Sequence, residues 1–317
     1  MSNIKVLNGG IFTTVQDYGR VGYQKFGISV AGVMDEFDYA IANALVGNKK
    51  GTAVLEVTYF GPAMVFDEDM VVAVTGADMN PKLDNVSVNM YESFEVKKGQ
   101  KLTFGIAKSG VRSYIAFGGE IDVTPVNGSK STHVKSHMGG YKGRQLKPND
   151  ELNIIVNSDA VAGRKLPEKF IPKISPFNVI RVVLGPQDDY FTEEGIHTLF
   201  TSGGYTLSKD MDRMGIRLLG DALEFKEGAD IISDGTVMGS IQVPANGRPI
   251  ILMADRQTTG GYTKVGTVVR EDIPKLAQMS ALNKICFEEV SLEKAQEMYI
   301  DYENYINTAI EAIKENV

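Results

Sequence analysis

The sequence contains one cysteine and no tryptophan, and it has no long apolar run. Cys286 alone cannot form a disulfide within the chain or supply a cysteine-rich zinc site. Its apolar neighbours predict a buried, unreactive thiol rather than a nucleophile. No signal peptide is recognisable, and no apolar run approaches the ~18 residues that a membrane helix needs. We therefore expect a soluble, cytoplasmic protein that does not bind membranes.

The chain also lacks an excess of positive charge. Its 33 Lys and Arg residues against 40 Asp and Glu residues give a formal net charge of −7. Because nucleic-acid binding requires a basic surface that neutralises phosphates, this balance argues against a nucleic-acid partner. It is still compatible with a small anionic ligand held by one or two local Arg or Lys side chains.

Several standard catalytic motifs are absent. The sequence has no P-loop, no G-x-S-x-G nucleophile elbow, no H-E-x-x-H and no Rossmann glycine motif. Residues 128–132, GSKST, resemble only the end of a P-loop. His133 and His137 are four residues apart, but two glycines follow them and no carboxylate has motif spacing. We therefore expect solvated loop histidines and no metal site.

Short β-branched and aromatic runs separated by Gly, Asn, Asp and Pro dominate the sequence. They predict a mainly β protein with peripheral helices, because they do not alternate with helices of 10–15 residues as a doubly wound parallel sheet requires. Helices are predicted at residues 34–46, at residues 271–278 and from residue 291 to about Asn316. The apolar stripe of the last helix fits either docking on its own barrel or a dimer seam.

Prolines and glycine between residues 158 and 176 mark the best candidate domain boundary. The predicted domains are residues 1–165 and residues 176–317, and the second includes the long C-terminal helix.

Polar residues set among glycines are the candidate functional residues in the first half of the chain. Asp17 and Arg20 lie in the TVQDYGR motif, and Asp35 opens the first predicted helix. These residues either have a function, or Asp17 and Arg20 form a salt bridge across a turn and Asp35 caps the N-terminus of the helix. Glu56 lies among β-branched residues, where an unpaired charge is not buried, so it either faces a cleft or meets an arginine.

Two further clusters combine glycines with cations. Arg112 begins RSYIAFGG, which is followed by GSKST and GGYKGR; such turns either bind an anion or serve as barrel turns with positive φ. The densest cluster is DRQTTGGYTK at residues 255–264, directly after the apolar run at residues 250–254. A structural loop does not need this much hydrogen-bonding capacity, so we expect a functional site here.

In this order, the motifs TVQDYGR, GVMD, TGAD, RSYIAFGG, GSKST, GGYKGR and DRQTTGGY resemble the allophanate-hydrolase-subunit-2 family, also called the biotin-dependent carboxyltransferase family. The resemblance runs from about residue 10 to residue 290. It implies two cyclophilin-like β-barrel domains. The family includes the C subunit of 5-oxoprolinase, so the implied activity is ATP-dependent opening of 5-oxo-L-proline to L-glutamate within a complex.

The resemblance also implies two partner chains: a subunit-1-type homologue, which is the B subunit of 5-oxoprolinase, and a lactam-utilisation protein, which is its A subunit. ATP is the implied cofactor, and we expect it at a subunit interface because no ATP loop is recognisable here. No biotin-attachment segment is present, so any biotin would arrive on another chain. Two alternative functions are the carboxyltransferase component of a biotin-dependent urea or amide carboxylase, and a regulatory protein that binds and antagonises a subunit-1-type kinase inhibitor.

The implied reaction assigns roles to the polar clusters, because lactam opening needs donors where oxyanion charge develops and an acid for the leaving nitrogen. We expect the 255–264 loop to share one cleft with Asp17, Arg20 and Glu56. The predicted catalytic residues are Asp17, Arg20, Glu56, Asp255 and Lys264, and the predicted substrate-binding residues are Asp35, Arg112, Gln257, Thr258, Gly261 and Tyr262.

Overall fold

The computed structural model describes residues 2–201 and 203–315. Their contacts divide the chain into two compact units. Unit 1 consists of the residues up to Arg20, Ala31–Ile174 and the residues from Asn304 on, whereas unit 2 consists of Val21–Val30 and Ser175–Glu303. The predicted domains, residues 1–165 and 176–317, stay a prediction.

The strands described in unit 1 form two sheets. The strands are β1 Ser2–Asn8, β2 Phe12–Gln16, β3 Val54–Thr58, β4 Ala63–Phe66, β5 Met70–Asp78, β6 Lys82–Leu83, β7 Val86–Ser87, β8 Ser93–Val96, β9 Lys101–Thr103, β10 Ser109–Phe117, β11 Gly119–Ile121 and β12 Glu151–Val156. The first sheet has the order β11-β12-β1-β4-β9-β6-β7, and the second has the order β2-β3-β10-β5-β8.

The core of unit 1 contains side chains from both sheets. Ile4 of β1, Leu102 of β9, Val57 of β3 and Ile115 of β10 are all 0% exposed and belong to one apolar cluster. Burying each such side chain stabilises the fold by roughly 1.5–3 kcal/mol. Helix α1, Glu36–Leu45, lies against β5 and β10. It begins at its N-cap Asp35, whose side chain accepts a hydrogen bond from the third residue of the helix.

Seven of the eight strands described in unit 2 close into a barrel. The strands are β13 Phe177–Leu184, β14 Tyr205–Met211, β15 Gly215–Leu219, β16 Asp230–Gly235, β17 Ser240–Val243, β18 Ile250–Leu252, β19 Thr259–Val268 and β20 Lys284–Glu289. The order is β13-β20-β14-β15-β18-β17-β19, and β13 also pairs with β19, which completes the ring. Strand β16 pairs with β19 outside this ring.

Three more helices follow α1 in the described residues: α2 Glu193–Thr201, α3 Ile273–Ala277 and α4 Leu292–Lys314. The residues of α4 up to Glu303 belong to unit 2 and those from Asn304 on belong to unit 1. None of the described helices combines the length and the hydropathy needed to cross a bilayer.

The mainly β prediction is confirmed, and the predicted helices at residues 34–46, 271–278 and 291–316 correspond to α1, α3 and α4. Asn316, the predicted end of the last helix, lies outside the described residues. Ile306 and Ile313 of its stripe are at most 4% exposed within unit 1, which supports docking on the chain itself for this part of the helix. Cys286 is half-buried on β20, so the prediction of a buried thiol was wrong.

A buried carboxylate links the barrel of unit 2 to α3. Asp272 is 0% exposed and accepts hydrogen bonds from Arg181 N–H at 2.8 Å and Nε at 2.9 Å, and from Lys275 Nζ at 2.6 Å. Burial raises the pKa of Asp272, but the hydrogen bonds from Arg181 and Lys275 outweigh it and lower that pKa below its ordinary value.

We expect Asp272→Asn to destabilise the protein by about 1.5–3 kcal/mol at pH 7, because it removes charged hydrogen bonds to Arg181 and Lys275 while Arg181 keeps its ion pair with Glu271. A depressed folded pKa stabilises the fold above the unfolded pKa of about 3.9 and loses that contribution as the pH falls through the folded pKa. The difference between wild type and variant should therefore shrink in acid. Urea denaturation across pH measures both effects.

The control is Asp69→Asn, which removes a partner from the exposed Lys97–Asp69 pair, where the side chains are 55% and 54% exposed. Its unfolding midpoint should match that of the wild type. Equal midpoints for Asp272→Asn and wild type at pH 7 would contradict the assigned role of Asp272.

Candidate functional site

The carboxylate of Asp17, at the end of β2, is the centre of a buried hydrogen-bond cluster in unit 1. Its Oδ1 accepts from the hydroxyls of Ser129 and Ser131, each at 2.6 Å, and from Gly19 N–H at 2.8 Å. Its Oδ2 accepts from the backbone N–H of Lys130 at 2.6 Å. The TVQDYGR and GSKST motifs, 112 residues apart between Asp17 and Ser129, therefore meet at one carboxylate.

Arg20 lies beside Ser131, one of the two serines that donate to Asp17, and is 0% exposed. Its Nη2 donates a hydrogen bond to the carbonyl oxygen of Ser131. Gly139, the first residue of GGYKGR, has a φ of 65°, and a Cβ there would lie 2.2 Å from the carbonyl oxygen of Ser131 and 2.0 Å from Arg20 Nη2. Because only glycine fits at this position, all three sequence motifs are required to build this cluster.

Three acidic side chains, Asp35, Asp38 and Glu56, form a second buried cluster in unit 1, with exposures of 2%, 1% and 1%. Glu56 Oε2 accepts hydrogen bonds from Met34 N–H at 2.8 Å and from the Tyr114 hydroxyl at 2.9 Å. The Tyr114 oxygen in turn accepts from Asp35 N–H at 2.9 Å. This chain of hydrogen bonds joins the start of α1 to strands β3 and β10.

The strand register explains why Glu56 meets an arginine. Glu56 on β3 pairs directly with Tyr114 on β10, and Arg112 lies two residues before Tyr114 on the same face. Arg112 Nε is 3.9 Å from Glu56 Oε1, and both side chains are at most 4% exposed. Of the two interpretations of Glu56 from the sequence, the structure shows the arginine contact.

Asp38 is the acid in this cluster with a strongly shifted pKa. Burial, followed by the negative charge of the neighbouring Asp35, raises the pKa of Asp38 well above its ordinary value. The Tyr91 hydroxyl donates to Asp38 Oδ1 at 2.8 Å and opposes this shift without cancelling it. A carboxyl group with a raised pKa holds its proton to higher pH than an ordinary aspartate does, and a group of this kind is suited to proton donation.

In unit 2, the polar residues of the β18–β19 loop and of β19 form two ion pairs. Arg213 Nε and Nη2 donate to the two oxygens of Asp255 at 3.0 and 2.8 Å, and the side chains are only 6% and 10% exposed. Lys264 Nζ lies 2.6 Å from Asp234 Oδ2; the lysine is 3% exposed, whereas the aspartate on β16 is 53% exposed. The hydrogen bond from Lys264 lowers the pKa of Asp234.

Arg256 is buried in unit 2 without an acidic partner. The residue is 6% exposed, and its guanidinium reaches only neutral acceptors: the carbonyls of Thr236 at 3.5 Å and Met253 at 3.4 Å, and Gln24 Oε1 at 3.4 Å. Within the described part of the chain, no carboxylate forms an ion pair with it. Burial alone lowers the pKa of Arg256 to about 10. An anion bound here would remove this penalty.

Amide and hydroxyl groups surround this arginine. Gln24 Nε2 donates to the carbonyls of Thr236 at 2.6 Å and Thr258 at 3.1 Å, and the Thr236 hydroxyl donates to the carbonyl of Gln257 at 2.6 Å. Gln257 Nε2 donates to Gln242 Oε1 at 2.9 Å. The loop around Arg256 is therefore held in place before any ligand arrives.

The structure distributes the predicted site residues over both units. Unit 1 contains Asp17, Arg20, Asp35, Glu56 and Arg112, and unit 2 contains Asp255, Gln257, Thr258, Gly261, Tyr262 and Lys264. Within unit 1 the acids and arginines form the two clusters described, and within unit 2 the others lie on one loop and strand. The proposal that residues of both units share one cleft stays a prediction.

The sequence-based set did not include Asp38, Arg213, Asp234 or Arg256, although Arg256 lies within DRQTTGGY and Asp38 lies three residues after GVMD. Their importance depends on burial and on partners distant in sequence. For Arg256, the sequence offered one signal, which is that this arginine directly follows Asp255 in a glycine-rich loop.

The two histidines are not equivalent, and the prediction that both are solvated was wrong for His133. His133 is 7% exposed and its backbone pairs with Met138, whereas His137 is exposed at the end of a 3₁₀ turn. Across residues 2–201 and 203–315, no group of three or more His, Cys, Asp or Glu side chains is arranged to hold a metal ion.

Comparisons with known proteins add to this geometry. Residues 26–289 match the family described as "Carboxyltransferase domain, subdomain A and B". The chain is 37% identical to the C subunit of 5-oxoprolinase from Escherichia coli (strain K12), over 95% of this chain and 96% of that protein. It is 34% identical to the C subunit of 5-oxoprolinase from Haemophilus influenzae, over 96% of each chain.

A solved structure shows the same fold. The crystal structure of the Kluyveromyces lactis urea carboxylase superposes with a TM-score of 0.90 and 29% sequence identity over 97% of this chain. The superposed region is only 29% of that urea carboxylase chain. The two 5-oxoprolinase relatives match over nearly their whole length, whereas the urea carboxylase contains much more than this chain does.

We expect Asp38→Asn to change how stability depends on pH, because the amide mimics the protonated carboxyl group. A raised folded pKa makes the wild type lose stability as the pH rises from the unfolded pKa, about 3.9, towards the folded pKa. Relative to the variant, that loss should reach at most about 1.4 kcal/mol per pH unit. Urea denaturation between pH 4.5 and 7.5 measures it.

The control is Asp159→Asn at an exposed position, which should leave the pH dependence of the wild type unchanged. Stability curves of wild type and Asp38→Asn that run parallel over this range would contradict a raised pKa. An infrared band of a protonated carboxyl group that persists in wild type above the ordinary aspartate pKa of about 3.9, and is absent in Asp38→Asn, gives independent support.

Proposed function

We propose that this chain, which belongs to the family of carboxyltransferase domains with subdomains A and B, acts as the C subunit of a 5-oxoprolinase. In this role it contributes to a complex that opens 5-oxo-L-proline to L-glutamate with consumption of ATP. The match to two 5-oxoprolinase C subunits over at least 95% of both partners in each comparison supports this assignment.

Arg256 is the observation that favours 5-oxoproline over urea. A buried guanidinium whose described partners are neutral is suited to a carboxylate, which it binds through two parallel hydrogen bonds. 5-Oxoproline has a carboxylate beside its lactam ring, whereas urea is neutral. We assign Arg256 to the substrate carboxylate, with Gln257, Thr258, Gly261 and Tyr262 forming the rest of the binding loop.

The opening of a lactam explains why the proposed site needs a buried cation and a buried acid. A lactam is a stabilised amide, and ATP supplies the phosphoryl group that makes its carbonyl oxygen a leaving group. Lys264, nearly buried beside an exposed partner, is suited to stabilise negative charge that develops on this oxygen. The ring nitrogen must gain a proton when the C–N bond breaks, and Asp38, the acid of unit 1 with a raised pKa, is the candidate donor.

The remaining predicted residues have positioning roles in this proposal. Asp255 forms a two-point ion pair with Arg213, so it fixes the loop that contains Arg256. Asp17 and Arg20 fix the segment around Ser131 in unit 1. Arg112 neutralises the buried Glu56.

Partners and cofactors follow from this assignment. We propose that the chain works with a subunit-1-type homologue, the B subunit of the complex, and with a lactam-utilisation protein, its A subunit. ATP binds at a subunit interface in this proposal. No residue of this chain is assigned to ATP, and no biotin is attached to it.

A second candidate function is the carboxyltransferase component of a biotin-dependent carboxylase. The TM-score of 0.90 against a urea carboxylase favours it. In that case biotin would arrive on a carrier chain, and Arg256 and Lys264 would contact the carboxyl group that is transferred. Carboxylation of urea in the presence of a biotin carboxylase and a carrier protein would distinguish it from lactam opening.

Reconstitution with the lactam-utilisation protein and the subunit-1-type homologue tests the proposed function. We expect glutamate release from 5-oxoproline that requires ATP and all three chains. Arg256→Gln should raise the KM for 5-oxoproline about 10- to 100-fold, since a hydrogen bond to a charged group contributes about 1.5–3 kcal/mol. Arg217→Gln, at an exposed arginine of β15, is the matched control and should behave as wild type.

Two outcomes contradict different parts of this proposal. Absence of ATP-dependent glutamate release from the assembled wild type would contradict the function itself. Full activity of Arg256→Gln with an unchanged KM would contradict only the assignment of the carboxylate.

We expect Lys264→Ala to lower turnover by at least 100-fold while the melting temperature stays within about 2 °C of wild type. The stability is retained because the partner Asp234 is 53% exposed and becomes solvated when the lysine is removed. Asp255→Ala, in contrast, leaves Arg213 buried without this counter-charge and should cost about 3 kcal/mol of stability. Assays of the complex and thermal unfolding of the isolated chain separate the two effects, and a large stability loss in Lys264→Ala would argue against its catalytic role.

A further inference from the structure

Gln187 lies in unit 2, directly before the 3₁₀ turn Asp188–Tyr190, and no role in the proposed reaction has been assigned to it. In the ladder between β13 and β19, the last paired residues are Leu184 and Gly266. Beyond that point Gln187 contacts β19 directly. Its backbone N–H donates to the carbonyl of Lys264 at 3.1 Å, and its side-chain Oε1 accepts from the N–H of Lys264 at 3.0 Å. Both backbone polar groups of Lys264 are thus held by one residue.

The same glutamine side chain also reaches the counter-ion of that lysine. Gln187 Nε2 donates to Asp234 Oδ2 at 3.3 Å, and Lys264 Nζ donates to the same oxygen at 2.6 Å. The other oxygen of Asp234, Oδ1, accepts from the N–H of Gly235 at 2.7 Å. Gln187 therefore contacts the lysine at its backbone and also contacts the carboxylate that the ammonium group meets.

Asp234 needs these contacts because neither burial nor regular strand pairing fixes its side chain, which is 53% exposed on β16. In the pairing of β16 with β19, Asp230 lies opposite Tyr262. Asp234 lies opposite Gly260, so four positions on β16 correspond to two on β19 and a bulge lies between them. A bulge bends its strand and disrupts the ladder locally. Side-chain hydrogen bonds are then what selects one rotamer of an exposed carboxylate.

The lysine of this ion pair is only 3% exposed, so its ammonium group depends on Asp234. A buried ammonium group needs a negative charge beside it. The hydrogen bond from Lys264 has the largest effect in lowering the pKa of Asp234, and the hydrogen bond from Gln187 lowers this pKa as well. Gln187 thus helps to keep the carboxylate ionised next to the ammonium group.

We propose that Gln187 is a positioning residue for Lys264. It holds the backbone of this lysine and the carboxylate beside its ammonium group in one arrangement, so that the positive charge already lies where negative charge develops in the transition state. The proposal rests on the proposed function, in which Lys264 stabilises the charge that develops on the lactam oxygen. It requires no contact between Gln187 and the substrate.

Kinetics of the reconstituted three-chain complex test this role. We expect Gln187→Ala to lower kcat for 5-oxoproline about 10-fold or more, because misplacing a charge that acts in the transition state reduces turnover. The KM for 5-oxoproline should stay within about 3-fold of wild type, since the substrate carboxylate is assigned to Arg256. Gln296→Ala, at an exposed glutamine of α4, is the matched control and should behave as wild type.

A second variant separates positioning from a general role in folding. Gln187→Glu keeps an oxygen that accepts from Lys264 N–H, but an ionised glutamate cannot donate to Asp234 and adds a like charge beside it. Because like charges raise the pKa of both carboxyl groups, the introduced glutamate gains a proton above its ordinary pKa of about 4.3, and it can then donate again. The kcat of Gln187→Glu relative to wild type should therefore rise as the pH falls from about 8 to about 5.5, whereas the ratio for Gln187→Ala stays constant.

The other titratable groups on the adjoining segments are the same in all of these variants. They are Asp188, Asp189 and Tyr190 of the 3₁₀ turn, Asp230 of β16 and Tyr262 of β19. Their titration affects wild type and variants alike, so the ratio of kcat values at each pH isolates the effect of residue 187.

A measurement on the isolated chain does not depend on the reaction. NMR titration of the Asp234 carboxyl carbon should give a higher pKa in Gln187→Ala than in wild type, and a higher pKa still in Gln187→Glu. The first variant loses a donor, and the second also adds a like charge. Gln296→Ala should leave this pKa unchanged. Thermal unfolding checks that each variant is folded under the assay conditions.

The outcomes distinguish this proposal from the proposed function. Absence of ATP-dependent glutamate release from the wild-type complex would contradict the proposed function, while the titration of Asp234 would still decide whether Gln187 holds the ion pair. An unchanged kcat in Gln187→Ala, an equal loss of kcat at every pH in Gln187→Glu, or the same pKa of Asp234 in wild type and Gln187→Ala would each overturn the role of Gln187.

Discussion

Burying a charged side chain is expensive, and the way in which this protein compensates its buried charges determines much of its structure. Asp17 receives four hydrogen bonds from residues on two separate segments, and Asp272 receives several from Arg181 and Lys275. Each of these carboxylates fixes strands or loops that are distant in sequence. The polar motifs thus also connect segments that are distant in sequence. These connections explain why loops with many charged residues can hold one conformation.

Some buried polar groups lack such compensation, and these groups are informative because their burial is costly. The guanidinium of Arg256 reaches only neutral acceptors, and Nε of Arg164 and the hydroxyl of Tyr39 have no described partner. Arg256 is the group among them that the proposed function uses, because an anion bound beside it would remove the cost of burying its charge.

The sequence predicts the fold class well because strand-forming runs and turn residues are local signals. The helix α1 follows from its apolar spacing and its N-cap at Asp35, and Glu56 met an arginine as the cost of burial requires. Helix α2, in contrast, was not predicted, because its nine residues include a glycine and leave only Gly195 and Leu199 buried. Arg256 and Asp38 were missed because their altered ionisation depends on desolvation, which is set by segments that the local sequence does not reveal.

The division of the chain into units has a consequence for how it is made. Residues 21–30 leave the ribosome long before the barrel with which they cluster, and unit 1 also needs residues from Asn304 on. Neither unit has all of its residues until the last helix has been synthesised, so folding of an N-terminal domain during translation, the usual order, cannot finish here. The nascent chain must keep its early strands soluble until α4 has been synthesised, and this helix completes both units at nearly the same moment.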